Sequence, residues 1–278
     1  MENSTIKKIH HLNCCTNMPK GGKLINGRSP AKICCHCLLV ETDQGLILID
    51  TGIGIEDMKD PSRTGPLYLV NRPRQNEEET AFRQIERLGL RPQDVRHIIM
   101  THLDLDHTGG LPDFPDATIH VYKKEFDAAM TQKKLSDKIR YRNIHWAHSP
   151  DWCVHDYKDD DQWFGFNAIR YLAGLPHEIV LIPLPGHTKG HCGVSVKTDQ
   201  HWVFFVADAY FYHKETDRIP KCTPGLKLFQ FFAHTDRQLA RETKKKLRHL
   251  KEAENENVIL ISAHDRDEFE HFSGTQIR

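Results

Sequence analysis

The sequence of 278 residues predicts a mixed α/β fold. Three observations support this prediction. Apolar runs typical of buried strands stop abruptly at polar loops, two segments have the spacing of amphipathic helices, and the first fifty residues look like antiparallel strands. We see no internal repeat and no linker that would divide the chain. We therefore expect one domain that spans residues 1–278.

The first part of the chain is predicted to form three strands. Residues 5–12 precede a loop between Pro19 and Pro30 that is rich in Gly, Pro and Asn. The segments ICCHCLLVET and GLILIDTG follow, separated by a turn at 43–45. Because the apolar residues lie in short runs bounded by turn residues, we expect strands here rather than helices.

Two later segments have helical spacing. Residues 79–89 place four apolar side chains on one face, and Gly89 signals the end of that helix. A second helix is expected at about 236–252, where Thr235 and Gln238 would form a capping box.

Residues 133–177 differ in character from the rest of the chain. They lack a clear period, are rich in Trp, Tyr, His and Asp, and include three of the four tryptophans. Long irregular insertions often cover a binding site. We expect a lid or an apolar wall for a substrate; the alternative is a surface excursion packed by its own aromatic side chains.

Composition limits the classes of partner. Lys+Arg and Asp+Glu are both 38, and this balance argues against a large basic surface for nucleic acid. No apolar stretch reaches the roughly 20 residues that cross a bilayer, and the first residues do not resemble a signal peptide. We expect a cytoplasmic protein with a small-molecule substrate and no nucleic-acid or membrane partner; the oligomeric state stays open.

Five of the eight cysteines are clustered near the N-terminus, at positions 14, 15, 34, 35 and 37. Neighbouring residues of a strand point to opposite faces, which suits a shared ion poorly. We therefore interpret these cysteines as small apolar strand residues, with an additional zinc or redox cluster as the alternative.

Four apolar runs each end in residues that bind metals. They are HIIM-THLDLDH (97–107), IVLIPLPGH (179–187), WVFFVAD (202–208) and VILISAH (258–264). The candidate metal ligands at these strand ends are His102, Asp104, Asp106, His107, His187, Asp208 and His264. Four imidazoles and three carboxylates match two divalent ions that share a bridging carboxylate, an arrangement common in metal-assisted hydrolysis.

These segments resemble a known family. THLDLDHTGG, GHTKGH, the Asp of VADA and the His of SAHD are similar to motifs of the metallo-β-lactamase superfamily, and DTG matches its early Asp-turn motif. Within the superfamily the chain looks most like the enzymes that open N-acyl homoserine lactones. The resemblance runs from about His36 to Phe269. It implies a four-layer αββα sandwich with the ions at one edge, between the two sheets.

The resemblance also implies a role for each ligand. Metal 1 would be bound by His102, Asp104 and His187, metal 2 by Asp106, His107 and His264, and both by Asp208. A water or hydroxide between the ions would attack the carbonyl carbon of an ester-like bond, with a lactone as the first expectation. Zinc is the first choice of ion, and manganese or iron stays open. Asp50 would orient ligands from behind, or would be an ordinary turn aspartate.

Two positions depart from the family pattern. Most of the superfamily has histidine where this chain has Asp104. The lower positive charge should make the bridging water less acidic, and the harder oxygen ligand should raise the relative preference for Mn or Fe over Zn. We expect metal 1 to be loosely held. The lactone-hydrolysing branch has tyrosine where this chain has Phe211; Tyr210 and Tyr212 flank it, and with Asp106 they are the candidate catalytic residues. Packing is the alternative role of both tyrosines.

Three other functions stay open. Phosphodiester or nucleic-acid hydrolysis occurs in this superfamily, but the neutral charge argues against it. Asp104 favours iron-dependent redox chemistry, because a diiron, oxygen-reducing branch has a carboxylate (Glu) at the equivalent place. A silent binding module is disfavoured because all seven ligand positions are present. Among the other histidines, His191 should orient its turn and His120 should be structural. His155, in the insertion, should be a surface or packing residue, with an approach to substrate as the alternative.

Overall fold

Two β-sheets packed face to face form the centre of the computed structural model, which describes residues 5–156, 161–169 and 172–274. The first sheet has the order β1-β2-β3-β4-β5-β6 and the second β12-β11-β10-β9, while β7 and β8 pair with each other. The strands are β1 (Ile6–Asn17), β2 (Ile33–Thr42), β3 (Gly45–Ile49), β4 (Val95–Ile99), β5 (Thr118–Tyr122), β6 (Asp151–His155), β7 (Gln162–Trp163), β8 (Phe166–Asn167), β9 (Ile179–Pro183), β10 (Cys192–Lys197), β11 (Trp202–Ala207) and β12 (Val258–Ser262).

Helices pack against the two sheets and also lie in the loops between their strands. They are α1 (Lys23–Asn26), α2 (Ile55–Lys59), α3 (Tyr68–Asn71), α4 (Ala81–Arg87), α5 (Leu105–Thr108), α6 (Lys123–Thr131), α7 (Leu135–Arg140), α8 (Pro224–Ala233), α9 (Arg237–Ala253) and α10 (Arg266–Ser273), with short 3₁₀ segments between them. Among the described residues, no helix combines the length and apolar character that a bilayer crossing requires.

The packing confirms the predicted four-layer αββα sandwich. Buried side chains of β3, β9 and β10 meet between the two sheets. Ala81 and Ile85 of α4 pack on the outer face of the first sheet, and Leu247 and Leu250 of α9 on that of the second. In the first sheet β1 to β3 are antiparallel, whereas β3 to β6 are parallel. The carboxyl ends of the parallel strands therefore lie at one edge.

Both predicted helices are present, but the cap of the second was misplaced by one residue. The N-cap of α9 is Asp236, whose Oδ1 accepts hydrogen bonds from the backbone of Gln238 (2.9 Å) and Leu239 (3.0 Å). Thr235 instead donates its hydroxyl to the carbonyl of Gly186. The capping-box prediction was wrong because two adjacent residues can both cap a helix, and tertiary contacts chose between them.

The insertion at 133–177 is more ordered than its composition suggests. It supplies β6 to the first sheet, and its residues 157–160 and 170–171 lie outside the described residues. Trp146 is buried under the first sheet and Trp163 under the second. The tryptophans therefore pack in the core and do not form the expected wall.

The cysteines follow the strand interpretation. Cys14 and Cys37 pack in the core beneath α4, whereas Cys15 and Cys35 pack in a separate cluster with Ile53. All eight cysteines are free. Adjacent cysteines thus point to opposite faces, as their spacing predicted.

Candidate metal centre

The seven candidate ligands converge at one edge of the sandwich. His102, Asp104, Asp106 and His107 come from the β4–α5 loop and α5, His187 follows β9, Asp208 follows β11, and His264 follows β12. None of the seven side chains is more than 16% exposed. Four separate strands therefore bring these residues together in a largely buried cluster.

The metal 1 group consists of His102, Asp104 and His187. Oδ2 of Asp104 lies 3.6 Å from Nε2 of His102 and 3.0 Å from Nε2 of His187. Oδ2 of Asp208 lies 3.4 Å from the same His187 nitrogen. Ligand atoms bound tetrahedrally at 2.0–2.1 Å would be about 3.3 Å apart, so these separations suit one ion.

The metal 2 group consists of Asp106, His107 and His264. Here the other oxygen of Asp208, Oδ1, lies 3.3 Å from Nε2 of His107 and 3.2 Å from Nε2 of His264. Oδ2 of Asp106 lies 3.6 Å from the same His264 nitrogen. The two oxygens of Asp208 thus face the two groups separately, as a bridging carboxylate requires.

Four buried polar atoms at the centre of this cluster have no hydrogen-bond partner among the described residues. They are Nε2 of His102, Nε2 of His107, Oδ1 of Asp104 and Oδ1 of Asp208. A buried polar atom without a partner costs about 1–3 kcal/mol. Lone pairs of four such atoms in one place indicate that these residues fit metal ions.

Asp50 holds His107 from behind. Its Oδ2 accepts a hydrogen bond from Nδ1 of His107 (2.7 Å), and its Oδ1 accepts one from the backbone of Thr101 (2.8 Å). The φ angle of Asp50 is 56°, in the left-handed region that non-glycine residues seldom adopt. Of the two predicted roles, the structure favours orientation of a ligand, since the bond to Nδ1 leaves Nε2 free for an ion.

The remaining histidines are oriented in the same manner. Nδ1 of His264 donates to the carbonyl of Cys34 (2.7 Å), and Nδ1 of His102 donates to the hydroxyl of Thr101 (2.9 Å). His191 has the orienting role that its turn predicted. Its Nδ1 donates to the carbonyl of Leu184, while its Nε2 accepts the backbone N–H of Asp208 at 3.1 Å.

Glu125 joins the loops that carry the ligands, and sequence reasoning missed it. This fully buried carboxylate accepts hydrogen bonds from the backbone of Leu103 (3.0 Å) and of Gly190 (3.1 Å). A Cβ on Gly190 would lie 2.1 Å from the backbone nitrogen of Glu125, so only glycine fits there. In the sequence Glu125 looks like any acidic residue in the first turn of a helix.

Arg140 is a second residue that sequence reasoning missed. It is the last residue of α7, within the insertion, and its Nη1 donates to Oδ2 of Asp104 at 2.6 Å. The same Nη1 lies 3.2 Å from Nε2 of His187, and Nη2 donates to the carbonyl of Ala233 at the end of α8. Burial favours the neutral carboxyl of Asp104, but Arg140 and His102 outweigh it and hold its pKa well below the usual range.

Arg140 changes the charge count made from the sequence. Two divalent ions with three aspartates leave one net positive charge, and the buried guanidinium adds a second. The pair of Asp104 and Arg140 is therefore equivalent in charge to the neutral histidine that most of the family has. The expectation of a less positive site omitted this residue, because nothing in the sequence marks an arginine of the insertion.

Cys35 also lies beside the metal 2 group. Its Sγ and the ligand atoms of Asp106 and His264 are all within 4.8 Å of one another. The contact with the neighbouring Cys15 thiol, together with burial, raises the pKa of this thiol well above its usual value. The strand interpretation of the cysteines is correct for their packing, yet it did not anticipate a thiol next to the ligands.

The aromatic residues that follow Asp208 take different positions. The ring of Phe211 stacks on His264, with centroids 5.4 Å apart and planes 2° apart. Tyr210 is buried, and its hydroxyl donates to Glu268 at 2.8 Å. For Tyr210 the structure thus favours packing, one of the two predicted roles, whereas a contact between Tyr212 and substrate stays a prediction.

An apolar rim continues outward from Phe211. The ring of Phe229 in α8 lies 5.2 Å from that of Phe211, edge to face. Leu228, Phe231 and Phe232 of the same helix are exposed. Near the ligands, exposed aromatic side chains therefore come from α8, and a substrate wall formed by the insertion stays a prediction.

Comparisons with known proteins agree with this architecture. Residues 35–254 match the model of the metallo-beta-lactamase superfamily. A probable metallo-hydrolase of Mycobacterium tuberculosis is 38% identical over 260 residues, which are 94% of this chain and 81% of that protein. An N-acyl homoserine lactonase of Bacillus thuringiensis is 24% identical over 268 residues, 94% of each chain.

The solved structures show the same fold. One is an N-acyl homoserine lactone hydrolase with the product N-hexanoyl-L-homoserine bound at its catalytic metal center. It has a TM-score of 0.69 and 21% identity, over 99% of this chain and 98% of that one. The family match confirms the resemblance inferred from the ligand motifs, and with it the expectation of divalent metal ions. The chain therefore belongs to the metallo-beta-lactamase superfamily and is one of its metallo-hydrolases.

Proposed function

We propose that this protein uses two divalent ions to hydrolyse an ester-like bond in a small molecule, with lactones as the first substrate class. The observation that carries the proposal is the position of Asp208. Its two oxygens face two separate ligand groups, and unpartnered ligand atoms surround it. Such a centre suits attack of water on a carbonyl carbon without a serine or cysteine nucleophile.

The chain's own residues prepare the centre in three ways. Bound divalent ions supply Lewis acidity for the substrate carbonyl and for a water molecule. His191 holds the backbone at Asp208, and Asp50 fixes the ring of His107, so the ligands need little rearrangement during the reaction. Asp106 is 16% exposed, more than His107 or His264, and is the carboxylate of the metal 2 group that a substrate can reach.

The surroundings of the centre support a lactone with an apolar substituent. Phe211 and Phe229 form an apolar rim next to the ligands, on which an acyl chain could lie. The relatives include enzymes named as N-acyl homoserine lactonases. A small-molecule substrate agrees with the zero formal net charge, which offers no general attraction for nucleic acid.

Arg140 has a specific role in this proposal. Its Nη1 contacts two atoms that would bind metal 1, Oδ2 of Asp104 and Nε2 of His187. The guanidinium therefore balances the charge of Asp104 and also competes with the ion for these donor atoms. Zinc is the first choice for both sites; the oxygen ligand Asp104 favours manganese or iron at metal 1 more than a histidine would.

A substrate screen tests the proposal. Metal-free protein is reconstituted separately with Zn, Mn and Fe, and kcat/KM is measured for N-acyl homoserine lactones of short and long acyl chain, a thioester, an aryl ester and a bis-aryl phosphodiester. We expect the lactones to have the highest kcat/KM, increasing with chain length. His264→Ala should remove this activity. Preferred cleavage of the phosphodiester by fully metallated protein would contradict the proposal.

A further inference from the structure

Three histidines form a row on the inner face of the first sheet, apart from the ligand loops. They are His97 of β4, His120 of β5 and His155 of β6. Nδ1 of His97 lies 3.0 Å from Nε2 of His120, and Nδ1 of His120 lies 2.9 Å from Nε2 of His155. The rings of His120 and His155 are stacked, 7° from parallel. A chain of imidazoles thus crosses three neighbouring strands.

A cysteine completes this cluster. Cys153 is paired with His120 in the register of β5 and β6, and it lies two residues before His155, on the same face of β6. A ring nitrogen of His120, a ring nitrogen of His155 and Sγ of Cys153 are all within 4.8 Å of one another. None of these residues belongs to the metal 1 or metal 2 group. The cluster is therefore a separate set of donor atoms.

The imidazoles are in the form that binds metals. Burial, together with His155 and His97, lowers the pKa of His120 to about 3. Burial also lowers the pKa of His97 and of His155. Each shift favours the uncharged imidazole, in which one ring nitrogen keeps its lone pair. Neutral imidazole is the ligand form of histidine.

The position of His97 fits a supporting role. When Nε2–H of His120 donates to Nδ1 of His97, the free lone pair of His120 is on Nδ1 and faces His155. Metal-binding histidines almost always have such an acceptor behind them. His97 is in turn held in place by the chain near Gly174, where a Cβ would lie 3.1 Å from its ring.

We propose that His120, Cys153 and His155 bind one zinc ion outside the catalytic centre. Two imidazoles and one thiolate are a donor set that zinc favours, with water as the fourth ligand. On binding, the thiol of Cys153 releases its proton to solvent as the zinc–sulfur bond forms. His155 carries its proton on Nδ1, and the 2.9 Å between the two ring nitrogens widens to about 3.3 Å.

The ion has a structural consequence. β6 is the last strand of the first sheet and pairs with β5 alone in that sheet. Ligands from both strands would join this outer strand to the sheet through the ion. β6 belongs to the same insertion as Arg140, so the zinc site would stabilise the segment that carries that arginine.

Metal counting tests the proposal. Protein stripped with a chelator is reloaded with excess zinc, desalted and analysed for bound metal. Cys153→Ser and His155→Gln should each bind one zinc ion fewer than the wild type and keep their lactone turnover. The matched control is Cys222→Ser, a partly buried cysteine away from the histidine row, which should bind as many ions as the wild type.

Cobalt distinguishes the sulfur site from the catalytic centre. Co²⁺-loaded wild type should show a near-ultraviolet band of thiolate-to-cobalt charge transfer, and Cys153→Ser should lose it. His264→Ala keeps this band even though it loses catalytic metal, so failure of the proposed function and failure of this site have different signatures. Because Cys35 lies near His264, loss of the band in Cys35→Ser with retention in Cys153→Ser would overturn the proposal.

A last measurement addresses folding. Thermal unfolding of zinc-loaded Cys153→Ser and of His155→Gln is followed by circular dichroism. We expect both to unfold at a lower temperature than the wild type with zinc and at nearly the same temperature without it. Equal metal counts and equal midpoints for wild type and both variants would exclude a zinc site here.

Discussion

The two ligand groups of the catalytic centre are held in different ways. Both histidines of the metal 2 group donate from Nδ1 to fixed acceptors, Asp50 and the carbonyl of Cys34. In the metal 1 group, Asp104 and His187 instead contact the guanidinium of Arg140, a long side chain from the insertion. In the metal 1 group only His102 has a comparable hydrogen bond, to Thr101, and the other two ligands contact the long side chain of Arg140.

This difference should affect how each ligand group behaves when its ion is absent. Ligands fixed by buried hydrogen bonds keep their geometry when an ion leaves, whereas the metal 1 group has a cation of its own as a substitute. We therefore expect metal 2 to bind more tightly and to matter more for turnover. The expectation of a loosely held metal 1, first drawn from Asp104 alone, stays a prediction and now has a second basis in Arg140.

The largest effect is expected from removing one ligand of each group in parallel. His264→Ala should lower kcat/KM for the preferred lactone by roughly a thousandfold, and His187→Ala by about a hundredfold, because Arg140 still leaves a positive charge near Asp104. Steady-state kinetics of metal-replete protein, with the metal content of each variant, measures this. Equal losses of kcat/KM in both variants would contradict the predicted difference between the two ligand groups.

The next largest effect is expected from Asp50→Asn, which changes the support of His107 in the metal 2 group. Asp50 accepts three hydrogen bonds, from the backbone and hydroxyl of Thr101 and from His107, and one amide oxygen cannot replace both carboxylate oxygens. Since asparagine tolerates a φ of 56°, the backbone need not change. We expect metal 2 affinity to fall about 10–100-fold, measured by competition with a chelating dye. Unchanged affinity would assign Asp50 to the turn alone.

The charge of the metal 1 group can be varied in both directions. Asp104→His adds one positive charge and should move the pH–rate profile about one unit lower, because a more positive site favours ionisation of the reacting water. Arg140→Gln removes a charge and a competitor, so it should move the profile about one unit higher and tighten metal 1 about tenfold.

The double variant Asp104→His/Arg140→Gln is the control for that pair. It has the wild-type charge, and its pH–rate profile should return close to that of the wild type. Profiles that do not move in either single variant would show that neither residue acts on the reacting water, and the equivalence of the pair to histidine would then be wrong.

The smallest effect is expected from Asp113, which lies shortly after the segment that carries Asp106 and His107. Asp113 accepts the backbone N–H of Ile55 at 3.0 Å, and burial raises its pKa to about 7. An unfolded aspartate titrates near 3.9, so the folded state binds the extra proton and stability from this group is lost as pH rises from about 4 through 7. Asp113→Asn should be more stable above pH 7 by about 1–2 kcal/mol, less than the full shift because the side chain is partly exposed.

Chemical unfolding at pH 5 and pH 8 measures this difference. The gain from Asp113→Asn should be clear at pH 8 and about a third as large at pH 5. A gain of the same size at both values would mean that the substitution acts through packing or the hydrogen bond to Ile55, and not through the proton.

The sequence was most informative where one strand end carries one ligand. His187, Asp208 and His264 each follow an unbroken apolar run, and β-strand geometry alone brings such ends together. The resemblance supplied the four-layer arrangement, which strand patterns could not, because the pairing of sheets depends on contacts distant in the chain. The cap of α9 was missed by one residue for the same reason.

Residues that contact the ligands or their loops, without being ligands themselves, were harder to predict. Arg140, Glu125 and Cys35 have no local signal, because each reaches the centre from an element that carries no ligand. Asp50 was recognised only because its turn is part of a family motif. A single sequence shows which side chains can bind an ion, but their charge balance depends on neighbours that only the fold brings close.

The contact between Arg140 and the carbonyl of Ala233 has a practical consequence for redesign of this protein. Ala233 ends the helix that carries the aromatic rim, so substitutions in the rim that shift this helix should also disturb the residue that balances Asp104. We therefore expect substrate preference and metal content to change together. Any engineered variant with an altered rim should have its metal stoichiometry measured before its kinetics are interpreted.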